Sequence, residues 1–194
     1  MPADGRREGV LTMARLPFMT RDDLPEELRY VWDRNAVGRE VPNIFRVMAN
    51  NPETWRAYLR LGNGLWNHCG LDVATRELVI LRTAILHHSQ YEWHQHVRIG
   101  RQAGLSDEKI VALHHWKASP LFSETERAIL EYVDAVNASG HPAQEVHDRL
   151  AALVPAGTVV GVNLLTGFYG MTARFLAAME VELEEPFVGW QLHG

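Results

Sequence analysis

Arg76-Glu77-Leu78-Val79-Ile80-Leu81-Arg82-Thr83-Ala84-Ile85-Leu86, continued by His87-His88 and then Ser89-Gln90-Tyr91-Glu92-Trp93-His94-Gln95-His96, is the stretch that decides the fold. Its first part extends an apolar run that begins at Val73, and a helix over 73–88 has no clearly polar face. A helix that is apolar all round is buried all round, so other helices have to surround it. The next segment, 90–103, changes character. Trp93, His96, Val97, Gly100 and Ala103 share one helical face, with His94, Arg98, Arg101 and Gln102 towards another. No stretch of the chain shows convincing strand alternation, so the fold class is all-α.

Working outward, helix starts and stops recur along the chain. Asp72 is an N-cap for 73–88, Gly104 a natural stop for 90–103, and Ser106 opens a further helix. Asn51-Pro52-Glu53 supplies the cap, proline and acid of a helix that continues to about 67. Ser123-Glu124-Thr125-Glu126 starts a helix to about 138, and Gly140-His141-Pro142 separates it from one over 143–153. Residues 156–182 read as one long apolar helix whose Gly161, Gly167 and Gly170 mark close packing or space for a ligand. Upstream, 22–35 reads as a helix and 42–50 as a short helix or turn. The expected organisation is an N-terminal arm over 1–20, one helical domain over 21–183 and a non-helical tail over 184–194, available to a neighbouring subunit. Residues 71–78 weakly echo 122–129, as in a repeated helical unit.

The totals narrow the function. A formal charge of -5 with no lysine or arginine run argues against nucleic acid as a partner. Most of the 19 cationic side chains are arginine, which suits carboxylate recognition. The single cysteine, Cys69, has no internal disulfide partner, the first residues lack an apolar leader, and no apolar run is long enough to span a membrane. The expectation is a cytoplasmic protein with no membrane partner.

Glu77, Glu92 and His96 are the candidate catalytic residues. A carboxylate inside a buried helix takes a proton or finds a partner, so Glu77 is either a proton-handling group or the partner of an arginine such as Arg98 or Arg174. Ser89 and Glu92 have the spacing of a capping box, and the free amides of that helix start also suit an anion. His96 is four residues beyond Glu92 and within its reach, either as a general acid/base or as a satisfied core histidine. Ser89, Trp93 and Tyr169 are the candidate substrate contacts. His94 and His96, two apart on a helix, point too far apart to chelate one ion, and no histidine spacing is diagnostic of metal. No phosphate-binding glycine loop and no nucleophile elbow is present, so neither a metal nor a cofactor is expected.

At these residues the chain resembles the carboxymuconolactone decarboxylase family, which includes the alkylhydroperoxidase-D-like proteins. The carriers are Arg76 to Arg82, then Tyr91-Glu92-Trp93-His94-Gln95-His96-Val97, then Ala103-Gly104-Leu105-Ser106, supported by Asn43 to Met48 and the helix around Tyr169 and Arg174. The resemblance implies an alkylhydroperoxidase-D-like helical bundle assembling into trimers or hexamers. The family's peroxidase branch uses a glutamate, a Cys-x-x-Cys and a following histidine; Glu77 and His96 match the glutamate and histidine, while Ser89 and Glu92 fall where the cysteines would stand. Dithiol peroxide reduction needs a thiolate and a resolving sulfur, so it is not expected here. The decarboxylase branch needs no thiol, and the resemblance points to a lyase-like or isomerase-like step on a small acidic or lactone-like molecule. The alternatives are a non-catalytic oligomeric ligand-binding protein and, behind it, a metal-dependent or residual peroxidase activity.

Overall fold

The computed structural model describes residues 14–36 and 40–184. These form helices α1 (Arg29–Asn35), α2 (Asn43–Met48), α3 (Pro52–His68), α4 (Val73–Leu86), α5 (Gln90–Gln102), α6 (Asp107–Ala112), α7 (Glu124–Ser139), α8 (Gln144–Leu153) and α9 (Ala156–Met179), with short 3-10 turns between some of them. Among the described residues there is no β-strand, and the class is all-α. Helices α3 to α7 start where the sequence places a cap. Asn51, Asp72, Ser89, Ser106 and Ser123 each accept, through a side-chain oxygen, the amide three residues on. Such a cap satisfies a donor that the helix cannot, typically for about 1 kcal/mol.

Helix α4 runs through the middle, packed by α5, α7 and α9. Val79 and Ile80 join a core with Ile129 and Val133 of α7 and Val162 and Leu165 of α9. Leu78 and Leu81 face a second core with Trp93 and Val97 of α5 and Leu113. Successive residues of α4 thus serve different cores, which is why the sequence shows no polar face. Burying each of these aliphatic side chains contributes roughly 1.5–3 kcal/mol. Helix α9 crosses the end of α3 at Gly161, where a Cβ would overlap the carbonyl oxygen of Cys69. At Gly167 the space is open. Asp72 and Ser123, in the two echoing segments, cap helices α4 and α7, which pack together.

Three boundaries differ from the sequence reading. The helix expected over 22–35 is two 3-10 turns, Arg21–Asp23 and Glu26–Leu28, followed by α1. Pro25 causes the break, because it holds Leu24 extended (φ -85, ψ 147) and offers no amide. Helix α4 stops at Leu86 rather than 88, and α9 at Met179 rather than 182, because His88 (φ 53) and Glu180 (φ 51) are left-handed. Residues 1–13 of the expected arm lie outside the described residues. The remainder is attached: the Arg15 amide donates to Met179 O at 2.8 Å and the Met19 amide to Arg46 O at 3.1 Å. Of the expected tail only Glu184 is described; its carboxylate accepts from the Asn43 amide, the Tyr91 hydroxyl and Gln95 Nε2 of its own chain.

Candidate active site

The corner between α4 and α5 brings the candidate residues together. The His88 amide donates to Ile85 O at 3.1 Å and the Ser89 amide to Ala84 O at 2.9 Å. This is a Schellman closure with histidine at the left-handed position that glycine usually holds. It folds α5 back onto α4, so that His96 Nδ1 lies 2.7 Å from Glu77 Oε2. The other oxygen of Glu77 accepts from Arg76 Nε at 3.1 Å and Nη2 at 3.0 Å. Arg76, in turn, lies 3.6 Å over the ring of Trp66 and donates to the Trp66 carbonyl at 2.8 Å. On the far side of the imidazole, Nε2 forms a longer ion pair with Glu92 Oε2 at 3.3 Å. Arg76, Glu77, His96 and Glu92 therefore form one buried chain, alternating in sign.

That alternation sets the state of the ring. Burial lowers the pKa of His96, but the charge and hydrogen bond of Glu77, joined by those of Glu92, outweigh it and raise the pKa from 6.5 to about 9. At neutral pH His96 is an imidazolium with a proton on each nitrogen, and each proton has a carboxylate to face. The partner of Glu77 is thus its neighbour Arg76 together with His96, not Arg98 or Arg174.

A cavity of about 790 Å³ opens beside this chain. His96 and Glu92 stand in its wall, with Trp66, Tyr58, Phe168 and Tyr169 around them. Tyr169 packs edge-on against His96, ring centroids 5.0 Å apart. It is only 8% exposed, and its hydroxyl makes no hydrogen bond among the described residues. Burial, with Glu92 and Tyr58 nearby, pushes that phenol well above its ordinary pKa, so it stays a donor. Arg34, Arg56 and Arg60 line the same cavity.

Of the other candidates, Glu77 is completely buried behind His96 and does not reach the cavity wall. Ser89 does cap α5, its Oγ accepting from the Glu92 amide at 3.4 Å, but it is buried at the corner and not in the wall. Trp93 points into the second core, against Val97 and Leu113, and is likewise absent from the wall. His94, expected on a face apart from His96, is buried as well, and burial lowers its pKa. Cys69 is buried at the end of α3, away from α5. Among the described residues, no group of three or more His, Cys, Asp and Glu side chains is disposed to hold a metal ion. No helix of the described residues is long and apolar enough to cross a membrane.

Sequence reasoning missed Arg76, Trp66, Tyr58 and the three cavity arginines. Arg56, Arg60 and Asn63 repeat at helical spacing on α3, and that was the signal available for them.

Comparison with known proteins agrees with this architecture. Residues 52–135 match the model of the carboxymuconolactone decarboxylase family. The uncharacterized protein YnjA of Escherichia coli (strain K12) is 34% identical over 86 residues, 44% of this chain and 47% of YnjA. The chain therefore matches less than half the length of that relative. Among solved structures, a protein of unknown function from Agrobacterium tumefaciens, named in connection with the antioxidant defence protein AhpD, is 26% identical with a TM-score of 0.67, over 71% of this chain and 95% of that one. An uncharacterized peroxidase-related protein from Ralstonia eutropha JMP134, described as an alkylhydroperoxidase AhpD core, has a TM-score of 0.77 at 20% identity, over 89% and 93%. At that identity the likeness concerns the fold alone. Over residues 52–135 the chain is similar to the carboxymuconolactone decarboxylase family, and its helical architecture is the alkylhydroperoxidase-D-like fold.

Proposed function

We propose that this protein is a cofactor-independent acid–base enzyme of the decarboxylase-like kind, a lyase or isomerase acting on a small acidic or lactone-like molecule. One observation carries the reading: a carboxylate, Glu92, stands in the cavity wall and is paired to a buried imidazolium. In a decarboxylation the bond from carbon to the carboxylate breaks and its electron pair stays on the substrate as an enolate. The His96 Nε2 proton passes to Glu92 and from there to the substrate carbon, and CO₂ leaves. The ring that remains is neutral, with its proton on Nδ1 and donated to Glu77; solvent then restores the lost proton. Glu77 and Arg76 act by position, fixing the tautomer and holding the chain's charge in balance. In this reading the Tyr169 hydroxyl donates to the enolate oxygen as charge develops there.

The test is deuterium incorporation from D₂O into a panel of unsaturated lactone and keto acids, followed by NMR. Glu92→Gln and His96→Ala are each expected to lower the rate by about 100-fold or more with helicity retained. Normal rates in both would contradict the reading.

A non-catalytic ligand-binding role is the second reading. It is favoured by both nitrogens of His96 already facing carboxylates. Dithiol peroxidase chemistry is not part of the proposal, since the chain has one cysteine and that one is buried. We extend the proposal to a cytoplasmic homo-oligomer. Val160, Leu164 and Met171, exposed along one side of α9, support a face that a second copy would cover.

A further inference from the structure

The cavity has two polar ends with an aromatic passage between them. At the inner end stand Glu92, His96 and the unpartnered Tyr169 hydroxyl. Trp66 marks that end on α3, its ring centroid 5.9 Å from that of His96. At the other end are Arg34 from α1 and Arg56 and Arg60 from α3. Arg60 and Arg56 precede Trp66 by six and ten residues on one continuous helix. At 1.5 Å per residue their backbones lie about 9 and 15 Å along α3 from that of Trp66. Helical side chains lean towards the N-terminus, which carries the guanidinium groups farther still.

The walls between these ends are flat and apolar. Tyr58 stacks on Phe168 with centroids 4.7 Å apart and planes inclined by 26°. Gly62, also in the wall, permits this: a Cβ there would come within 2.9 Å of the Phe168 ring. The outer arginines are not equally committed. Arg56 pairs with Glu53 at 2.7 Å, and Arg34 rests against the Tyr30 ring at 5.5 Å. Arg60 makes no ion pair or hydrogen bond among the described residues.

We propose that the cavity is built for an elongated planar anion, an aromatic or polyene carboxylic acid at least about 10 Å long, whose anchoring carboxylate sits at Arg60 and Arg34 while a separate reacting group at its other end meets Glu92. A compact single-ring lactone would reach one polar end but not both, and would leave most of a cavity of about 790 Å³ empty. Which end of the ligand reacts rests on the acid–base reading above; the size, shape and charge of the ligand do not.

Isothermal titration calorimetry on the full chain tests this with biphenyl-4-carboxylate, its neutral analogue biphenyl-4-methanol, and the short acid benzoate. The long acid is expected to bind about tenfold or more tighter than either comparison compound, and the double variant Arg34→Gln with Arg60→Gln to lose that advantage without weakening the alcohol. Equal affinity for the acid and the alcohol, equal affinity for benzoate, or an acid affinity untouched by the arginine changes would overturn the proposal. Glu92→Gln separates the two readings. Retained affinity for biphenyl-4-carboxylate in that variant supports the assigned orientation, and lost affinity overturns it. Deuterium incorporation at the normal rate in both Glu92→Gln and His96→Ala sinks the acid–base reading alone.

Discussion

Ser89 and Glu92 begin the same helix without closing the reciprocal cap that their spacing suggests. The Ser89 hydroxyl accepts from the Glu92 amide at 3.4 Å, whereas the Ser89 amide is donated to Ala84 O at 2.9 Å. With that donor taken by the turn out of α4, the Glu92 carboxylate is left to face His96 Nε2 at 3.3 Å. The left-handed turn at His88 thereby converts a capping residue into an acid that lines a cavity.

Because the two residues now do different work, their removal differs in pH dependence. Ser89→Ala is expected to lower stability by about 1 kcal/mol at any pH, as the loss of a serine cap does. Glu92→Gln removes a partner of the charged His96 ring, so its loss is expected at neutral pH and should vanish above about pH 9. Urea denaturation of both variants at pH 7 and pH 9.5 measures the contrast.

The wild-type protein has its own pH dependence. The pKa of His96 is raised in the folded state, from 6.5 to about 9. Its stabilising contribution is complete below the unfolded value and is lost as pH rises through the folded one. Stability is expected to decline between about pH 6.5 and 9, by on the order of 3 kcal/mol at most, with a flatter profile in His96→Phe. Tyr58, Tyr91 and Tyr169 are all pushed upward, chiefly by burial, so their contribution changes only above the ordinary phenol value. A flat wild-type profile across that window would contradict the charged ring.

Away from the cavity, one ion pair ties α4 to α7. Asp134 accepts from Arg82 Nε at 2.6 Å and Nη2 at 3.1 Å, and from Trp116 Nε1 at 3.1 Å. Both charged side chains are less than one-fifth exposed. Asp134→Ala leaves the guanidinium without its carboxylate and is expected to cost about 3 kcal/mol in chemical denaturation, with Asp134→Asn milder.

The helices were legible because their ends are written in single residues. Asn51, Asp72, Ser89, Ser106 and Ser123 all cap where sequence placed them. Glu77 and His96 were legible as candidate site residues, although the sequence offered Arg98 or Arg174 as the partner of Glu77. Arg76 was not. Adjacent helical residues point about 100° apart, and only a long guanidinium stem wrapping over Trp66 brings the two side chains together. The cavity was hidden for a different reason. Its arginines belong to α1 and α3, and their place opposite α5 and α9 depends on long-range packing that no local pattern records. Nor does spacing reveal that His88 would adopt the left-handed turn.

His96 is held as an imidazolium between Glu77 and Glu92 at the edge of the cavity. Nitrogen-15 NMR titration of the His96 ring, in the wild-type protein and in Glu92→Gln, addresses it without a substrate. The expected result is a ring doubly protonated at pH 7 that titrates near 9, with a lower value once Glu92 is neutralised. A ring already neutral at pH 7, or one whose titration is unchanged in Glu92→Gln, would contradict the account.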